Sequence, residues 1–289
     1  MNRRLQQVAR IARAAGREIL EVYHAADVDA GGRAIEVETK SDGSPLTQAD
    51  RRAHDLIHAQ LARLAPDIPL LSEESDAEAF AARRAWRKFW LVDPLDGTRG
   101  FIKRNDQFTV NIALIDAGRP ALGVVYAPLT GLLYAADADA GDGAFKVTPA
   151  GADDGDGATA AAQRIRVKPL DIRCAVMATS RAHGGPRPRT HAYRARLAAA
   201  FDRVDTVALG SSLKICLVAD GAVDIYPRLS PTSEWDTAAA HCVLQAAGGD
   251  VTDVDGVALR YNKADILNPW FLAGGARDFD WAKLARGLA

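Results

Sequence analysis

The stretch that decides the fold reads Phe-Trp-Leu-Val at residues 89–92 and Asp-Pro-Leu-Asp-Gly-Thr at residues 93–98. This pattern predicts an apolar strand that runs into a tight turn presenting two carboxylates and a hydroxyl. Pro94 fixes its own φ angle, and Gly97 permits backbone angles that other residues resist. Two Asp residues three positions apart, with a backbone carbonyl between them, suit a hard divalent cation that prefers oxygen ligands. The alternative is an ordinary polar turn, because Asp and Gly are common turn residues.

The composition is that of a soluble globular protein, since 48% of the 289 residues are hydrophobic and 25% are charged. This length allows one large domain or two smaller lobes. The net charge of −1 gives no reason to expect a nucleic-acid partner. The N-terminus has no apolar segment of signal-peptide length, and no apolar run approaches transmembrane length. The cysteines at positions 174, 216 and 242 form neither a disulfide framework nor a zinc pattern, so we expect a reducing, cytoplasmic environment.

The first half of the chain is predicted to alternate helices with strands and to end in a loop. Residues 4–24 carry apolar side chains at helical spacing, and the segment from Thr47 to Asp50 resembles a capping box that starts a second helix. Residues 25–46 contain several helix breakers and are predicted to be irregular. The remaining predictions are a helix end near Pro66, a surface helix at 75–88, strands at 68–72, 89–92, 108–115, 121–127 and 131–136, and a mobile loop at 148–162.

The second half is predicted to mix strands at 175–179, 204–209 and 223–227 with helices at 190–201, 211–219 and 236–247. Gly248 stands where helices commonly end. Because the elements follow no regular βαβ repeat, the pattern favours an α+β layered sandwich over a doubly wound sheet. We expect a lobe boundary beside the loop, with an N-terminal α+β lobe at 1–165 and a C-terminal α/β lobe at 166–289.

Five carboxylates lie where apolar elements end, so their side chains are expected to converge on a cleft. They are Asp50, Glu73, Asp93, Asp96 and Asp236. Several have an ordinary alternative: Asp236 as a helix N-cap, Asp50 as the acid of a capping box, and Glu73 as a surface charge. Their joint arrangement is what indicates a metal site, because a two-metal site needs several carboxylates in one small volume.

These residues belong to motifs that resemble the inositol monophosphatase superfamily. The matching motifs are Glu73, the run at 93–98, Trp-Asp-Thr-Ala-Ala at 235–239 and Ala-Gly-Gly at 247–249, and the match spans residues 40–249 in the family's order. Members of this superfamily are lithium-sensitive, magnesium-dependent phosphomonoesterases. The resemblance implies a pseudo-symmetric αβαβα layered sandwich, of the inositol monophosphatase and fructose-1,6-bisphosphatase type, with a metal cluster between the layers.

The resemblance also implies roles for individual residues. Two or three Mg²⁺ ions would be bound by Glu73, Asp93, Asp96, Asp236 and the carbonyl of Leu95. Thr98 would pair with Glu73 or Asp50 to position the attacking water. The backbone around Gly97 and Thr98 would hold the phosphate, with Asp96 and Asp236 beside it. The chemistry is consistent, because carboxylate-held cations offset the repulsion between the phosphoryl group and its nucleophile and lower the pKa of the attacking water.

Stretches outside the metal motifs resemble the CysQ-type 3′(2′),5′-bisphosphate nucleotidases of this superfamily. These stretches cover 98–105, 108–115, 123–128, 180–183, 210–214, 225–228 and 267–269. The resemblance implies a nucleotide substrate, adenosine 3′,5′-bisphosphate, whose 3′-phosphate is removed to give AMP. An inositol or sugar monophosphatase of the same fold is the alternative, and a phosphate- or metal-sensing protein without catalysis is a third hypothesis. A homodimer and peripheral association with the inner membrane are both compatible with the resemblance.

A second phosphate on the substrate needs cationic donors away from the metal cluster, and the resemblance gives this role to Lys214 and Arg228. Ser211 is expected to donate another hydrogen bond, and His183 to approach the nucleotide. The alternative is that Lys214 and Arg228 are ordinary surface charges. Two features depart from the nucleotidase pattern: Gly100 stands where Glu is usual, and the Asp- and Gly-rich segment at 150–160 is expected to be an insertion without a chemical role.

Overall fold

The computed structural model describes residues 1–28, 37–39, 45–104, 107–149, 162–181 and 188–288. The helices in these ranges are α1 (Arg3–Val28), α2 (Gln48–Leu64), α3 (Ala77–Ala82), α4 (Thr98–Ile102), α5 (Pro188–Ala200), α6 (Leu213–Ala219) and α7 (Ala238–Ala247). Short 3₁₀ turns cover Arg83–Ala85, Glu234–Asp236 and Trp281–Leu284. The strands are β1 (Val37–Thr39), β2 (Pro45–Thr47), β3 (Leu70–Ser72), β4 (Lys88–Asp96), β5 (Thr109–Asp116), β6 (Arg119–Ala127), β7 (Leu132–Asp137), β8 (Ala144–Val147), β9 (Ala162–Ile165), β10 (Cys174–Ser180), β11 (Arg203–Leu209), β12 (Ile225–Arg228), β13 (Asp250–Asp253) and β14 (Phe271–Gly274).

The strands form two large sheets and one short two-stranded sheet, β1-β2. The seven-stranded sheet has the order β3-β4-β5-β6-β7-β8-β9, and the five-stranded sheet has the order β11-β10-β12-β14-β13. From β4 to β9 each strand pairs antiparallel with the next, whereas β3 lies parallel to β4. In the second sheet β10 pairs parallel with β11 and β12, and β14 lies antiparallel between β12 and β13.

Helices cover both sheets, which gives five layers. Helices α1 and α2 pack on one face of the seven-stranded sheet, α6 and α7 lie between the two sheets, and α5 packs on the outer face of the five-stranded sheet. The alternation of side chains along β4 produces part of this arrangement, because Trp90 and Val92 are buried toward α1 and α2 while Phe89 and Leu91 are buried toward α7. The predicted αβαβα layered sandwich is therefore confirmed.

The region at 25–46 is more regular than predicted. Helix α1 continues to Val28, and β1 pairs antiparallel with β2, with Val37 opposite Thr47. The prediction of irregular structure was therefore wrong for these segments, because the pairing of β1 with β2 satisfies backbone groups beside the start of α2. The rest of 25–46 lies outside the described residues.

The predicted surface helix at 75–88 was too long. Helix α3 is capped by Asp76, whose carboxylate accepts the N–H of Ala79, and it ends in the 3₁₀ turn Arg83–Ala85. Trp86 is already extended and leads into β4. Arg83 is only 4% exposed, because its guanidinium turns inward to the second half of the chain, which a surface helix would not allow.

The predicted turn at 93–98 is much shorter in the structure. Strand β4 continues to Asp96 with a register shift, since Asp93 lies opposite Asn111 and Asp96 opposite Thr109. This bulge accommodates Pro94, which cannot donate to the sheet. The sharp change of direction occurs at Gly97, with φ +96°, immediately before α4.

The remaining elements follow the predictions with a few additions. Thr47 caps α2, and Gly248 ends α7 with φ +104°, both as predicted. Strands β8, β9, β13 and β14 were not predicted, and most of the predicted mobile loop lies outside the described residues. The division into lobes at residue 165 stays a prediction. Among the described helices, none is long and apolar enough to cross a membrane.

Candidate active site

Three carboxylates, two from β4 and one from a distant part of the chain, meet at the inner face of β4. One oxygen from each of Asp93, Asp96 and Asp236 lies within 4.8 Å of the other two. Asp93 continues the face of β4 that carries Leu91, and the bulge after it turns Asp96 to the same side. Asp236 ends a 3₁₀ turn that contacts β4. The structure thus brings together three of the residues that the sequence singled out as metal ligands.

Asp96 is held by polar groups from two directions. Its Oδ2 accepts the backbone N–H of Ser212 at 2.5 Å, the hydroxyl of Thr109 at 3.3 Å and the side-chain amide of Asn111 at 3.5 Å. The hydroxyl of Ser212 in turn bonds Asn111 Oδ1 at 2.8 Å and Thr109 at 3.0 Å. All three contacts of Asp96 are made by Oδ2, and they fix the orientation of its carboxylate.

Thr98, Asp50 and Leu95 form a second polar group beside the cluster. The hydroxyl of Thr98 lies 3.2 Å from the carbonyl oxygen of Leu95 and 3.4 Å from Asp50 Oδ1. The other oxygen of Asp50 accepts the backbone N–H of Thr47 at 2.8 Å and its hydroxyl at 2.6 Å, so the predicted capping box is present. Asp50 therefore caps α2 and reaches Thr98 with the same carboxylate.

Glu73 stands beside the same end of β4. It directly follows β3, and its N–H donates to the carbonyl of Val92 at 3.1 Å. Its charge is one of the causes that raise the pKa of Asp93, which places it in the electrostatic surroundings of the cluster.

Burial raises the pKa values of all three clustered carboxyl groups, and the charges of neighbouring carboxylates raise those of Asp93 and Asp236 further. For Asp93 burial is the largest cause, followed by the charges of Glu73 and Asp96. Burial also raises the pKa of Asp96, although the charge of Lys214 favours the ionised form. Burial and the charge of Asp96 raise the pKa of Asp236 to about 8. The cluster is therefore costly to ionise near neutral pH unless a positive charge lies among the carboxylates.

The donor set fits a hard divalent cation. It offers oxygen atoms only, three of them from carboxylates, and such ligands suit Mg²⁺, Ca²⁺ or Mn²⁺ rather than softer metals. A bound cation would also relieve the repulsion that raises the pKa values of the cluster. The residues thus match the predicted kind of site, while the identity and number of the ions stay predictions.

Two of the three carboxylates line a cleft of about 260 Å³, which is also lined by four cationic side chains of the described residues: Arg99, Arg181, Lys214 and Arg228. Asp96, Asp236, Lys214 and Arg228 all line it. Lys214 is only 4% exposed, its ammonium donates to the carbonyl of Ser211 and lies 5.2 Å from the centre of the Tyr226 ring, and burial lowers its pKa. This burial excludes the alternative that Lys214 is an ordinary surface charge.

Arg228 is partly satisfied within the cleft. Its Nη1 donates to the hydroxyl of Ser180 and its Nη2 to the carbonyl of Pro231, both at 3.1 Å. Its Nε is buried and has no hydrogen-bond partner within the part of the chain that the structure describes. The hydroxyl of Tyr226 lies 3.3 Å from Ser180. Burial raises the pKa of Tyr226, but the charges of Lys214 and Arg228 and the hydrogen bonds with Ser180 and Arg228 together outweigh it, so the net shift is downward.

The other predicted substrate residues fall in two groups. Gly97 and Ser211 line the cleft, each with a positive φ angle, and a Cβ at Gly97 would lie 2.8 Å from the carbonyl oxygen of Gln107. Gly100, the departure noted above, also lines the cleft. His183 lies outside the described residues, as does the segment at 150–160.

A family model described as the inositol monophosphatase family matches residues 1–280. The chain belongs to the inositol monophosphatase family. The match covers both sheets and every sequence-predicted site residue, so the family assignment applies to the whole of the structure described above.

Curated relatives of this chain from several bacteria carry the name 3′(2′),5′-bisphosphate nucleotidase CysQ. The protein of Escherichia coli strain K12 is 42% identical over 268 residues, which is 92% of this chain and 98% of the relative. The Haemophilus influenzae protein is 35% identical over 290 residues, which is 97% of this chain and 96% of the relative. Both alignments span nearly all of each protein, so this family member is similar to them over both sheets.

Solved structures show the same likeness. A crystal structure of CysQ from Bacteroides thetaiotaomicron, a bacterial member of the inositol monophosphatase family, is 39% identical, has a TM-score of 0.79, and the match covers 95% of this chain and 98% of that one. An IMPase of Thermotoga maritima is 25% identical with a TM-score of 0.74, and the match covers 99% of this chain and 97% of that one.

The sequence analysis missed several residues that build the site of this family member. Thr109 and Asn111 support Asp96, and Asn111 interrupts an otherwise apolar buried strand, which was a usable signal. Gln107 accepts the N–H of Gly210 at 2.6 Å and ties the two halves together beside the cleft. Tyr226 belongs to the nucleotidase-like stretch at 225–228, but no function was predicted for it, because nothing in the sequence placed it against Lys214.

Proposed function

We propose that this protein is a magnesium-dependent 3′(2′),5′-bisphosphate nucleotidase that hydrolyses adenosine 3′,5′-bisphosphate to AMP and phosphate. The observation that carries the proposal is one cleft lined by Asp96 and Asp236, which suit metal cations, and by the buried Lys214 and the half-buried Arg228. A substrate with two phosphates needs one site of each kind: metal ions held by carboxylates for one phosphate, and basic side chains for the other. The names of relatives that are 42% and 35% identical support the same substrate class.

The carboxylates would hold the cations beside the scissile phosphate. We assign this role to Asp93, Asp96, Asp236, Glu73 and the carbonyl of Leu95, for two or three Mg²⁺ ions. Bound Mg²⁺ would lower the pKa of water and offset the negative charge on the phosphoryl group. Asp96 is oriented for this role by Ser212, and Asp236 by the N–H of Ser233 at 2.8 Å.

Thr98 and Asp50 would orient the attacking water. The Thr98 hydroxyl already lies within reach of Asp50 and Leu95, and the capping box holds Asp50 in place. The contact of the Thr98 hydroxyl with Asp50 Oδ1 supports Asp50 as its hydrogen-bond partner, and Glu73 would act beside Asp93. The N–H groups of the first turn of α4, at Gly97 and Thr98, would hold the phosphate, because N–H groups at a helix start have no intrahelical acceptor.

The 5′-phosphate would bind to Lys214 and Arg228. Arg228 has a buried Nε–H without an acceptor in the described part of the chain, and an unsatisfied buried donor costs roughly 1–3 kcal/mol. A phosphate oxygen would supply the missing acceptor, and the guanidinium suits such an oxyanion. Ser211 lines the same space and would add a hydrogen bond. His183 is assigned to the nucleotide on the family resemblance alone.

The test is phosphate release from adenosine 3′,5′-bisphosphate, inositol 1-phosphate and AMP, each with Mg²⁺ and with EDTA. We expect kcat/KM for the bisphosphate to exceed that for inositol 1-phosphate at least about tenfold, the worth of one charge-assisted contact. AMP should release no phosphate, and EDTA should abolish the reaction. A preference for inositol 1-phosphate would instead support the inositol monophosphatase alternative, and full activity in EDTA would overturn the metal assignment.

A further inference from the structure

The turn that carries Asp236 is anchored by a second, fully buried carboxylate that the proposed chemistry does not use. Glu234 opens this 3₁₀ turn and is 0% exposed. Its Oε2 accepts the backbone N–H of Asn262 at 2.7 Å. Its Oε1 accepts the backbone N–H of Lys263 at 2.9 Å and the ammonium of Lys263 at 2.6 Å. A buried carboxylate with this set of donors is fixed in one position.

The segment that binds Glu234 is fastened at its other side to the first half of the chain. We call residues 260–268 the clamp loop. The side-chain amide of Asn262 donates to the carbonyls of Arg83 at 2.9 Å and Trp86 at 3.0 Å. The buried guanidinium of Arg83 donates to Asn262 Oδ1 at 3.1 Å and to the carbonyl of Ala264 at 3.2 Å. These contacts lie directly before β4, the strand that carries the other two clustered carboxylates.

The clamp loop also forms hydrogen bonds with both ends of the turn that carries Asp236. The side-chain amide of Asn268 donates to the carbonyl of Ser233 at 2.7 Å and lies 3.1 Å from the hydroxyl of Thr237. The N–H of Glu234 donates to the carbonyl of Ile266 at 3.0 Å. One connected set of hydrogen bonds therefore runs from the start of β4, through the clamp loop, to the residues on either side of Asp236.

We propose that Glu234 is a positioning residue that holds Asp236 against the carboxylates of β4, so that the three can share a cation. This inference rests on the proposed metal site. Asp236 lies far along the chain from Asp93 and Asp96, so contacts outside the cluster must hold its turn against β4 before a cation binds. Glu234 and Lys263 supply such contacts. Because the charges of this ion pair cancel, it adds no net charge beside the cluster.

The test measures metal binding directly, by titrating Mn²⁺ and following the electron paramagnetic resonance signal of the free ion. Glu234→Gln keeps the size of the side chain but replaces one acceptor oxygen by an NH₂ group, which faces donors only. Loss of a hydrogen bond that positions a metal ligand, without touching the metal itself, typically weakens metal affinity about 10- to 100-fold. We expect Mn²⁺ affinity to fall at least about tenfold in this variant. Lys263→Met, at a side chain that is 26% exposed, should weaken Mn²⁺ binding in the same direction.

The matched control is Asp137→Asn, which alters another buried carboxylate. Asp137 is 1% exposed and binds Arg4 and Asn2 on the other side of the seven-stranded sheet, toward α1. The Asp137→Asn variant should be less stable, but its Mn²⁺ affinity should stay within about twofold of that of the unmodified protein. In the two clamp variants the Mg²⁺ concentration for half-maximal rate should rise, while kcat at saturating Mg²⁺ recovers.

The outcomes separate the two proposals. If the unmodified protein binds no Mn²⁺, the metal site itself is wrong. If it binds Mn²⁺ and the folded Glu234→Gln and Lys263→Met variants bind it equally well, the positioning role of Glu234 is overturned. Should Glu234→Gln fail to fold, Lys263→Met alone decides, since unchanged Mn²⁺ affinity in that variant contradicts the proposal.

Discussion

The backbone N–H of Ser212 donates a 2.5 Å hydrogen bond to Oδ2 of Asp96, across 116 residues of sequence. This bond joins the start of α6 to the end of β4. Because Lys214 stands in the first turn of α6, the same contact sets the spacing between the carboxylate cluster and the buried cation. A rigid spacing of this kind would let the site distinguish a substrate with two phosphates from one with a single phosphate.

Asp96→Asn should abolish most activity without unfolding the protein. We expect turnover to fall at least about a hundredfold, which is the usual cost of removing one group that stabilises transition-state charge. The Asn side chain can still accept the N–H of Ser212, and the loss of one buried charge relieves repulsion, so the melting temperature in EDTA should not fall. Steady-state rates and thermal melts check both parts, and near-normal turnover in this variant would contradict the assignment of Asp96 to the metal cluster.

The stability of the metal-free protein should depend on pH in an unusual direction. The pKa of Asp236 is about 8 in the folded protein against 3.8 as its ordinary value. Between these values the folded state binds more protons than the unfolded state, so the free energy of unfolding falls as pH rises from about 4 to about 8. In EDTA the melting temperature should therefore decrease across this range, and Mg²⁺ should raise it more at about pH 8 than at about pH 5.5.

Asp236→Asn separates this effect from all other titrating groups. The variant cannot ionise at this position, so its melting temperature in EDTA should fall less steeply with pH than that of the unmodified protein. Parallel curves for the two proteins would show that Asp236 ionises normally in the folded state.

Arg228→Met should weaken the bisphosphate substrate selectively. A lost charge-assisted hydrogen bond costs roughly 1.5–3 kcal/mol, so we expect kcat/KM for adenosine 3′,5′-bisphosphate to fall about 10- to 100-fold. The rate with inositol 1-phosphate should change much less, because that substrate has no second phosphate. Arg173→Met, which removes an exposed cation paired with Asp171, serves as the control. An equal loss of kcat/KM with both substrates would show that Arg228 binds the scissile phosphate or is needed for folding, and would contradict its role at the 5′-phosphate.

Gly123→Ala should disturb the layer that carries the site. A Cβ at Gly123 would lie 2.2 Å from the carbonyl oxygen of Ala239 and 2.8 Å from Cβ of Cys242, both in α7. The helix would have to move off β6, at a cost of about 1–3 kcal/mol or more. Gly275→Ala, where the nearest atoms lie at an ordinary 3.5 Å, is the matched control. Urea unfolding measures both, and equal stability of the two variants would contradict the close packing of α7 on β6.

The sequence predicted the elements whose signals are local. The apolar run at 89–92 became the centre of β4, Thr47 capped α2, and Gly248 ended α7, because each depends on a residue's own backbone preference or on neighbours within one turn. The ends of β4 and α3 were misjudged, since a bulge at 93–96 and the burial of Arg83 depend on partners far along the chain.

The family resemblance located the site, but the residues that hold it together needed the structure. Ser212 and Glu234 act through contacts over 116 and 28 residues of sequence, and no local pattern reveals such pairs. Asn111 is the exception, because a polar side chain in the middle of an apolar strand signals a buried partner. Short strands such as β13 and β14 also escaped prediction, since four residues are too few for a clear alternation.

The central claim is that the cleft places the 3′-phosphate at the carboxylates and the 5′-phosphate at Lys214 and Arg228. The most direct test is ³¹P NMR of the products formed from adenosine 3′,5′-bisphosphate with Mg²⁺. We predict inorganic phosphate and adenosine 5′-phosphate, in equal amounts. Accumulation of adenosine 3′-phosphate, or no hydrolysis while inositol 1-phosphate is consumed, would contradict this orientation of the substrate.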